Sequence, residues 1–471
     1  MKTVVVGGGI SGLSAAYRLI ESKHTDQEVN LLESSDRFGG TIRTVDHEGC
    51  LIELGPDSFL SSKPWMTSLA ERLGIADQII PTSRIHRRSH VVYQGKLHPL
   101  PEGFLMMAPT RLWPMLTTSL FSFTGKARCA FDLILPRGKE SDQESVGSFV
   151  RRRFGREVLE RVVQPLIGGI YAGDPDSLSL KATIPRFLEM ETQHRSVIKA
   201  MVTQRHAAIK SVENSSAESG ARYGELVSFN RGMESIIRAL YSSLPQETLH
   251  TRSKVVSLSR EDKRWCLNCN DGKRFEADNV ILALPAQKAA NLIRSTDPGL
   301  HDILSAIPHT SSFVINLIYE RSQVPHPLDC FGFVVPAVEK RPIIACTFSS
   351  VKFPNRTPDD LVLLRTFVGG TLQQDMLNID DDEMMRIVRA ELKNLLGIEA
   401  PPRYTLFSRY PDAMPQYLVG HIQRMEQIKS LLQNHPGLTL AGNAYRGVGL
   451  PDCVYSGEQA ADHILTVDPI N

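Results

Sequence analysis

The sequence predicts an α/β fold that combines a discontinuous Rossmann-like domain with an antiparallel-sheet domain and a helical subdomain. A strand, a glycine-rich turn and a helix follow one another at 3–21 and again at 438–465 of the 471-residue chain, which predicts one domain built from distant parts. Strand-like apolar runs between 310 and 410 predict the antiparallel sheet, and 104–212 has a mostly helical pattern.

The glycine motif near the N-terminus has the order that a dinucleotide-binding turn requires. Residues 3–6 are a β-branched apolar run typical of a buried parallel strand. The glycines that follow match G-x-G-x-x-G, in which the first permits the turn, the second lets the backbone approach a pyrophosphate and the third lets helix and strand pack closely. The helix then begins where its positive end can face phosphate. The residues expected to form this site are Gly7, Gly9, Ile10, Ser11 and Gly12.

A carboxylate follows the second predicted strand, at 29–32. Glu33 lies 21 residues past Gly12, the usual place for a group that accepts hydrogen bonds from ribose hydroxyls. A carboxylate there would repel a 2′-phosphate, which disfavours NADP. Strand, glycines, helix, strand and acid in this order indicate a bound dinucleotide rather than a glycine-rich turn without a ligand.

Composition and charge exclude several classes of protein. Lys and Arg number 53 and Asp and Glu number 52, so the net charge of +1 predicts no general attraction to nucleic acid or anionic membranes. The seven cysteines are scattered and odd in number, which suits a reducing cytoplasm. Cys266 and Cys269 lie in a predicted hairpin, facing opposite sides, and are interpreted as ordinary thiols. We expect a cytoplasmic protein without a signal peptide and with at most peripheral membrane contact, near the apolar stretch 112–125.

The segment "SSDRFGGTIRT" resembles the arginine and double-glycine signature of the FAD-containing amine oxidase superfamily, which matches here at Arg37, Gly39, Gly40 and Thr44. The doubled glycine lets backbone N–H groups meet phosphate, and the arginine adds a cation. The sequence departs from the family pattern at Thr41, directly after the doubled glycine, where the family often carries a lysine or arginine. The resemblance implies FAD contacts at Ser34, Arg37, Gly39, Gly40 and Thr41.

The tail "AGNAYRGVGLPD" resembles the C-terminal flavin segment of the same superfamily. An asparagine replaces the usual aspartate, so an amide would make the polar contact, and Pro451 suits the first turn of a helix aimed at the flavin. The resemblance implies one tightly bound FAD, with no nicotinamide dependence. The implied contacts are Val255, through its backbone to adenine, and Gly442, Asn443, Gly447, Val448 and Gly449.

Longer motifs are similar to the porphyrinogen oxidases of haem synthesis over nearly the full length. They include "IELGPDSFLSSKP", "GKARCAFDLILP", "PLIGGIYAGDPDSLSL" and "MPQYLVGH". The nearest resemblance is to the soluble Gram-positive branch, which oxidises coproporphyrinogen III and often accepts protoporphyrinogen IX. This implies three two-electron oxidations of the porphyrinogen, with molecular oxygen as acceptor and hydrogen peroxide as product. The implied partners are the porphyrinogen, oxygen and other enzymes of the haem pathway, with no nucleic acid.

The same motifs supply candidate substrate residues. Lys63, in "FLSSKP", is the implied catalytic residue, because its ammonium could bind a propionate or stabilise negative charge; a solvated loop lysine is the alternative. Ser89 stands where the eukaryotic branch carries an arginine, so carboxylate recognition should differ. The "RRRF" stretch at 151–154 is interpreted as a solvated helix face. The residues expected to line the macrocycle pocket are Gly169, Ile170, Tyr171, Phe331 and Phe333.

The pattern of strands, glycines and helices along the chain assigns the domains, and two other functions stay open. The polar stretch 210–225 predicts a surface loop. An FAD amine or polyamine oxidase would share both flavin motifs, and a non-catalytic porphyrin-binding flavoprotein would share the whole pattern. The predicted domains are FAD-binding at 1–50, 222–295 and 426–471, substrate-binding at 51–103 and 296–425, and helical at 104–212.

Overall fold

The computed structural model describes residues 1–22, 27–105, 107–138, 141–212 and 226–466. The strands are β1 (Lys2–Val6), β2 (Glu28–Leu32), β3 (Thr44–His47), β4 (Cys50–Glu53), β5 (Phe59–Leu60), β6 (Ile79–Pro81), β7 (His90–Tyr93), β8 (Lys96–Pro99), β9 (Phe104–Leu105), β10 (Ala108–Pro109), β11 (Leu226–Phe229), β12 (Leu249–His250), β13 (Val255–Glu261), β14 (Arg264–Cys269), β15 (Arg274–Ala277), β16 (Asn279–Leu282), β17 (His309–Glu320), β18 (Gly332–Val334), β19 (Ala345–Phe348), β20 (Leu361–Gly369), β21 (Tyr404–Pro415) and β22 (Leu438–Leu440).

The helices are α1 (Ile10–Glu21), α2 (Pro64–Arg72), α3 (Leu112–Thr117), α4 (Phe123–Ala130), α5 (Val146–Arg153), α6 (Arg156–Val158), α7 (Gln164–Tyr171), α8 (Leu180–Thr183), α9 (Pro185–His194), α10 (Val197–Val212), α11 (Glu234–Ser243), α12 (Ala286–Ile293), α13 (Pro298–Ser305), α14 (Ser349–Lys352), α15 (Asp381–Leu396), α16 (His421–Leu432) and α17 (Leu450–Thr466). None of these helices is long and apolar enough to cross a bilayer within the described part of the chain.

A five-stranded parallel sheet forms the Rossmann-like domain, in the order β12-β2-β1-β16-β22. Val4, Val5 and Val6 of the central strand are almost fully buried, because both faces of the sheet are covered. Val5 packs in the cluster that contains α1 and α17, and Val4 and Val6 pack in a cluster that includes side chains of β13 and β14. The strands come from 2–32, 249–282 and 438–440, so the predicted discontinuous Rossmann-like fold is confirmed. The exact domain boundaries remain predictions.

A three-stranded antiparallel sheet, β13-β14-β15, is inserted into this domain. The predicted hairpin around "RWCLNCNDGKRF" is β14 and β15, in which Leu267 lies opposite Phe275. Cys266 and Cys269 are both buried free thiols in β14.

A seven-stranded sheet forms the second domain, in the order β21-β17-β20-β19-β18-β7-β8. Its pairs are antiparallel, as predicted, except β18 with β7, which is parallel. The exception arises because the β7–β8 hairpin comes from a distant part of the chain and joins the edge of the sheet. The predicted charged helix is α15, whose apolar side (Met384, Val388, Leu392) packs on one face of the sheet.

The helical subdomain contains α3 to α10 and a short hairpin, β9 with β10. Helical backbone runs from Arg156 to Tyr171 and widens to a π-helix at Leu159–Val163. Pro165 follows this wide turn, which suits a residue that lacks an N–H group. The loop predicted at 210–225 begins later than expected, since α10 ends at Val212; its remaining part, 213–225, lies outside the described residues.

The interpretation of 151–154 as a solvated helix face is wrong for Arg153, which is buried. Arg153 is 0% exposed and its guanidinium binds the carboxylates of Asp132, at 2.6 Å, and Glu191, at 3.3 Å. It also donates to the carbonyl oxygens of Pro136 and Arg195, which ties four segments of the subdomain together. Arg151 is the residue that matches the prediction, since its side chain is 48% exposed. Charge alone could not distinguish these two side chains, because burial depends on which face of α5 meets the other helices.

Candidate functional site

A large cavity of about 2270 Å³ lies where the parallel sheet, the seven-stranded sheet and the helical subdomain meet. Pockets for one small ligand commonly have volumes of roughly 300–1,000 Å³. The cavity therefore has room for more than one ligand, such as a dinucleotide and a separate substrate.

The glycine turn between β1 and α1 lies at one end of the cavity. Gly7 has a φ of +109°, and a Cβ there would lie 2.3 Å from the carbonyl oxygen of Ala283. A Cβ on Gly12 would lie 1.9 Å from the carbonyl oxygen of Gly7, so neither position accepts a larger residue. Gly9 differs, because it lines the cavity and a Cβ on it would meet no protein atom within 4 Å. With Ile10 and Ser11, which also line the cavity, this open backbone forms a cradle that fits a pyrophosphate.

The acid after β2 lies behind this cradle. Glu33 accepts hydrogen bonds from the backbone N–H groups of Gly8 and Ser35, each at 2.7 Å, and Ser34 donates to it at 3.2 Å. The carboxylate therefore orders the glycine turn directly, and its contact with ribose remains a prediction. Val255 is buried at the start of β13, the first strand after residue 250 as expected, and does not line the cavity.

The segment with the doubled glycine forms the adjoining wall. Gly39 and Thr41 line the cavity, and Gly40 lies against Gly9 with a φ of +57°. Arg37 donates to the carbonyl oxygens of Phe38, Gly40 and Ile42 and is not among the lining residues. Its guanidinium therefore fixes the shape of the turn, whereas direct contact with phosphate remains a prediction.

The C-terminal segment approaches the cavity from the opposite side. Gly442, Asn443, Val448 and Gly449 all line it, together with the first residues of α17. The carbonyl oxygen of Asn443 accepts a hydrogen bond from the Tyr417 hydroxyl, which holds the loop in place.

Gly447 lies behind the cavity wall, with a φ of +81°, and a Cβ on it would lie 2.3 Å from the side chain of Asp452.

Lys63 lies behind the wall as well. Its ammonium pairs with both carboxylate oxygens of Asp452 at 2.6 Å, and it is not among the cavity-lining residues. The direct contact with substrate that the motif implied is thus not favoured by this position. Lys63 instead neutralises a carboxylate in the first turn of α17.

Four of the five predicted pocket residues line the cavity. Gly169 and Ile170 reach it from the end of α7. Phe333 reaches it from β18, and Phe331 is the residue directly before that strand. The prediction for Tyr171 is wrong, because its side chain is 8% exposed and its hydroxyl donates to the carbonyl oxygen of Thr183 inside the helical subdomain. Consecutive helical side chains point about 100° apart, so Ile170 and Tyr171 cannot share a direction.

Sequence reasoning missed most of the charged residues of the site. Seven Lys or Arg side chains and two Asp or Glu side chains line the cavity within the described ranges, so it favours an anionic ligand. Arg87 and Arg88 precede Ser89, whose replacement of a family arginine was the one available signal; the others come from segments far apart in the sequence. The seven cations are Arg87, Arg88, Arg111, Arg186, Arg205, Lys352 and Arg365.

Comparisons with known proteins agree with this geometry. A family model described as flavin containing amine oxidoreductase matches residues 10–465. The coproporphyrinogen III oxidase of Bacillus subtilis (strain 168) is 34% identical over 467 residues, covering 98% of this chain and 97% of that protein. The coproporphyrinogen III oxidase of Staphylococcus aureus (strain NCTC 8325 / PS 47) is 34% identical over 465 residues, covering 98% of each.

The solved structures give the same result. A crystal structure from Exiguobacterium sp. 255-15, described as a candidate protoporphyrinogen oxidase, has a TM-score of 0.86 at 31% identity and covers 98% of both chains. The open glycine cradle, the doubled-glycine wall and the N-terminus of α17 fit FAD as the cofactor. The chain therefore belongs to the flavin-containing amine oxidoreductases and, within them, to the FAD-dependent porphyrinogen oxidases.

Proposed function

We propose that this protein oxidises coproporphyrinogen III to coproporphyrin III in haem biosynthesis, with molecular oxygen as acceptor and hydrogen peroxide as product, and that it also accepts protoporphyrinogen IX. The observation that carries the proposal is the excess of cations around a cavity that adjoins the FAD cradle. Coproporphyrinogen III has four propionates and protoporphyrinogen IX has two, so this charge favours the former.

The cavity walls suit a flat macrocycle with charged edges. Val314, Val334, Ala345 and Phe367 form an apolar floor on the seven-stranded sheet, and Ile170 faces it from α7. The cations lie around this floor and towards the mouth. Such an arrangement fixes the orientation of the ring while its propionates meet positive charge.

Bound FAD supplies the two-electron acceptor, and the protein supplies position and charge. Asp57 and Glu102 are the two carboxylates among the described lining residues. Burial opposes the ionisation of Asp57, but Lys352 and Arg365 outweigh it and hold the pKa of its carboxyl below the ordinary range. Glu102 pairs with Arg111. Neither is suited to act as a general base, so we expect the pyrrole proton to leave to water.

Reduction of the flavin by a porphyrinogen without air tests the proposal. We expect coproporphyrinogen III to bleach the yellow holoenzyme, and admission of air to restore the colour with release of hydrogen peroxide. An amine oxidase would be bleached by an amine instead, and a porphyrin-binding flavoprotein would bind the ring without bleaching. Steady-state kinetics with both porphyrinogens then give the preferred substrate.

Replacement of Lys63 by alanine should lower kcat/KM, with FAD content unchanged. The expected loss corresponds to about 1–3 kcal/mol of transition-state stabilisation. The physical reason is that Asp452, whose side chain is 12% exposed, would lose its cation in the first turn of α17. Its unpaired carboxylate would then offset the positive N-terminal end of that helix. Steady-state kinetics of Lys63→Ala should show similar losses for both porphyrinogens.

The double variant Lys63→Ala/Asp452→Asn is the control for this effect. Removing the unpaired carboxylate should restore much of the activity if Lys63 acts through Asp452. A loss that is larger for the four-propionate substrate, and that persists in the double variant, would mean that Lys63 binds substrate directly. Wild-type constants in Lys63→Ala would remove the residue from the site.

We also propose a cytoplasmic location with peripheral contact between the helical subdomain and an anionic bilayer surface. Trp113 and Phe123 are 73% and 87% exposed, and Ile134 is 65% exposed on the same stretch of chain. Lys126 lies between Phe123 and Ile134 in the sequence and Arg137 follows, so this stretch of chain combines exposed apolar side chains with positive charge.

Sedimentation with lipid vesicles tests the contact. The wild-type protein should sediment with vesicles that contain anionic lipid, and Phe123→Asp should weaken this binding. Val338, which is 48% exposed on the second domain, provides the matched control through Val338→Asp. Equal binding by the wild type and both variants would contradict the proposed surface.

A further inference from the structure

Arg365 is a buried cation that nevertheless lines the cavity. It lies in the middle of β20, opposite Asn316 of β17 and Thr347 of β19, and is 4% exposed. Phe367, two residues further along, points to the same face and belongs to the apolar floor. The guanidinium lies 4.9 Å from the centre of the Phe367 ring. The floor therefore ends in a positive charge at its inner end.

The partners of Arg365 leave part of its hydrogen-bonding capacity free. One terminal nitrogen donates to the carbonyl oxygen of Gly55, and the other lies 3.6 Å from the carboxylate of Asp57. That carboxylate is already bound by Lys352, whose three ammonium donors go to its two oxygens, at 2.9 and 2.8 Å, and to the Ser58 hydroxyl, at 3.2 Å, so Lys352 adds positive charge to the region rather than a free donor. Nε of Arg365 has no hydrogen-bond partner among the described residues. A buried donor without a partner costs free energy, which an incoming acceptor would recover.

The charges around Arg365 do not balance. A second pair, Arg356 with Glu53, lies next to the first and is linked to it through Ser228, whose hydroxyl donates to the carbonyl oxygen of Asp57. Three cations therefore face two carboxylates in a region where every one of these side chains is at most 16% exposed. A buried net charge is unfavourable unless a counter-ion binds.

We propose that Arg365 and Lys352 form a carboxylate-binding site at the inner end of the cavity, which receives one propionate of the porphyrinogen while the ring lies on the apolar floor. This inference rests on the proposed function and names the residues that fix the orientation of the substrate. One carboxylate would bring the cluster to three negative and three positive charges.

The arginines at the mouth are less suited to this role. Arg88 is 51% exposed and pairs with Asp329, and Arg111 is 31% exposed and pairs with Glu102. Solvent and salt screen exposed cations, which attract a substrate but hold it weakly. A buried cation that lacks a full set of partners holds a carboxylate more strongly, because both groups leave water together in a fixed geometry.

Binding of coproporphyrin III to the FAD-loaded enzyme, followed by fluorescence, tests the proposal without turnover. Arg365→Gln should weaken binding by about 10- to 100-fold, as expected for the loss of a hydrogen bond to a charged group. The tetramethyl ester of coproporphyrin III has no carboxylate, so the variant should bind it as well as the wild type does. Lys352→Gln should also weaken binding of the acid and leave binding of the ester unchanged. This variant provides the test if Arg365→Gln does not fold.

Arg403→Gln is the charge-matched control, because Arg403 is 48% exposed, pairs with Glu48 and lies outside the cavity lining. It should bind both porphyrins like the wild type. Wild-type affinity for the acid in both Arg365→Gln and Lys352→Gln would overturn the proposal. A loss of affinity for the ester as large as the loss for the acid would also overturn it. A wild-type enzyme that neither binds coproporphyrin III nor oxidises coproporphyrinogen III would overturn the proposed function itself.

Discussion

A valine at position 9 is expected to give a folded protein that does not hold FAD. Gly9 has φ −72° and ψ 179°, a conformation that any residue adopts, and a Cβ on it meets no protein atom within 4 Å. The added side chain therefore does not disturb the fold, but it occupies the cradle that the pyrophosphate requires. Visible absorbance should show no bound flavin, while circular dichroism should retain the helical signal. Activity should be lost completely.

The matched control is Gly12→Val in the same turn. There the Cβ would lie 1.9 Å from a backbone oxygen, so the strand and helix cannot keep their packing. This variant should lose thermal stability as well as FAD, and the two variants together separate crowding of the cofactor from crowding of the fold. A yellow and fully active Gly9→Val protein would contradict the assignment of the cradle.

Replacement of Arg153 by methionine should lower the free energy of unfolding by about 3–5 kcal/mol. The guanidinium is fully buried with Asp132, and its removal would leave that carboxylate and part of Glu191 without their cation. Methionine keeps much of the aliphatic volume, so the loss reports the missing charge rather than a cavity. Urea denaturation of the FAD-loaded protein measures it.

Arg151→Met is the control two residues away in the same helix. Arg151 pairs with Asp176 at the surface, where both side chains are about half exposed, so the variant should lose at most about 1 kcal/mol. Equal destabilisation by the two substitutions would mean that the buried network contributes nothing beyond a surface ion pair.

Most of the predicted cofactor residues line the cavity because their sequence signals are local. The glycines of the first turn, the doubled glycine at 39–40 and the segment at 442–449 each place backbone beside the cavity through a few consecutive residues. Family resemblance then identified the ligand, which spacing alone left as an unspecified dinucleotide. Val255 and Arg37 lie away from the cavity lining, and the structure gives Arg37 a role in shaping the turn.

The substrate face was harder to predict because its residues come together only in the folded chain. Lys352, Arg365 and Asp57 lie on different elements, and no motif connects them. Tyr171 was misassigned because a motif identifies a stretch of chain but not the direction of each side chain on a helix. Arg153 was misassigned for a related reason, since three successive arginines look alike until the opposite face of the helix is known.

The order of strands in the parallel sheet determines when the cofactor site can form during synthesis. β1 pairs on one side with β2, which is the next strand in the sequence, and on the other side with β16, which comes more than 240 residues later. β22, the last strand of the chain, pairs with β16. A nascent chain that stops before residue 438 has the glycine turn but lacks the N-terminus of α17 that closes the cavity. The complete cofactor site therefore exists only in a chain that extends through the start of α17, and a chain that ends before residue 438 is expected to be colourless.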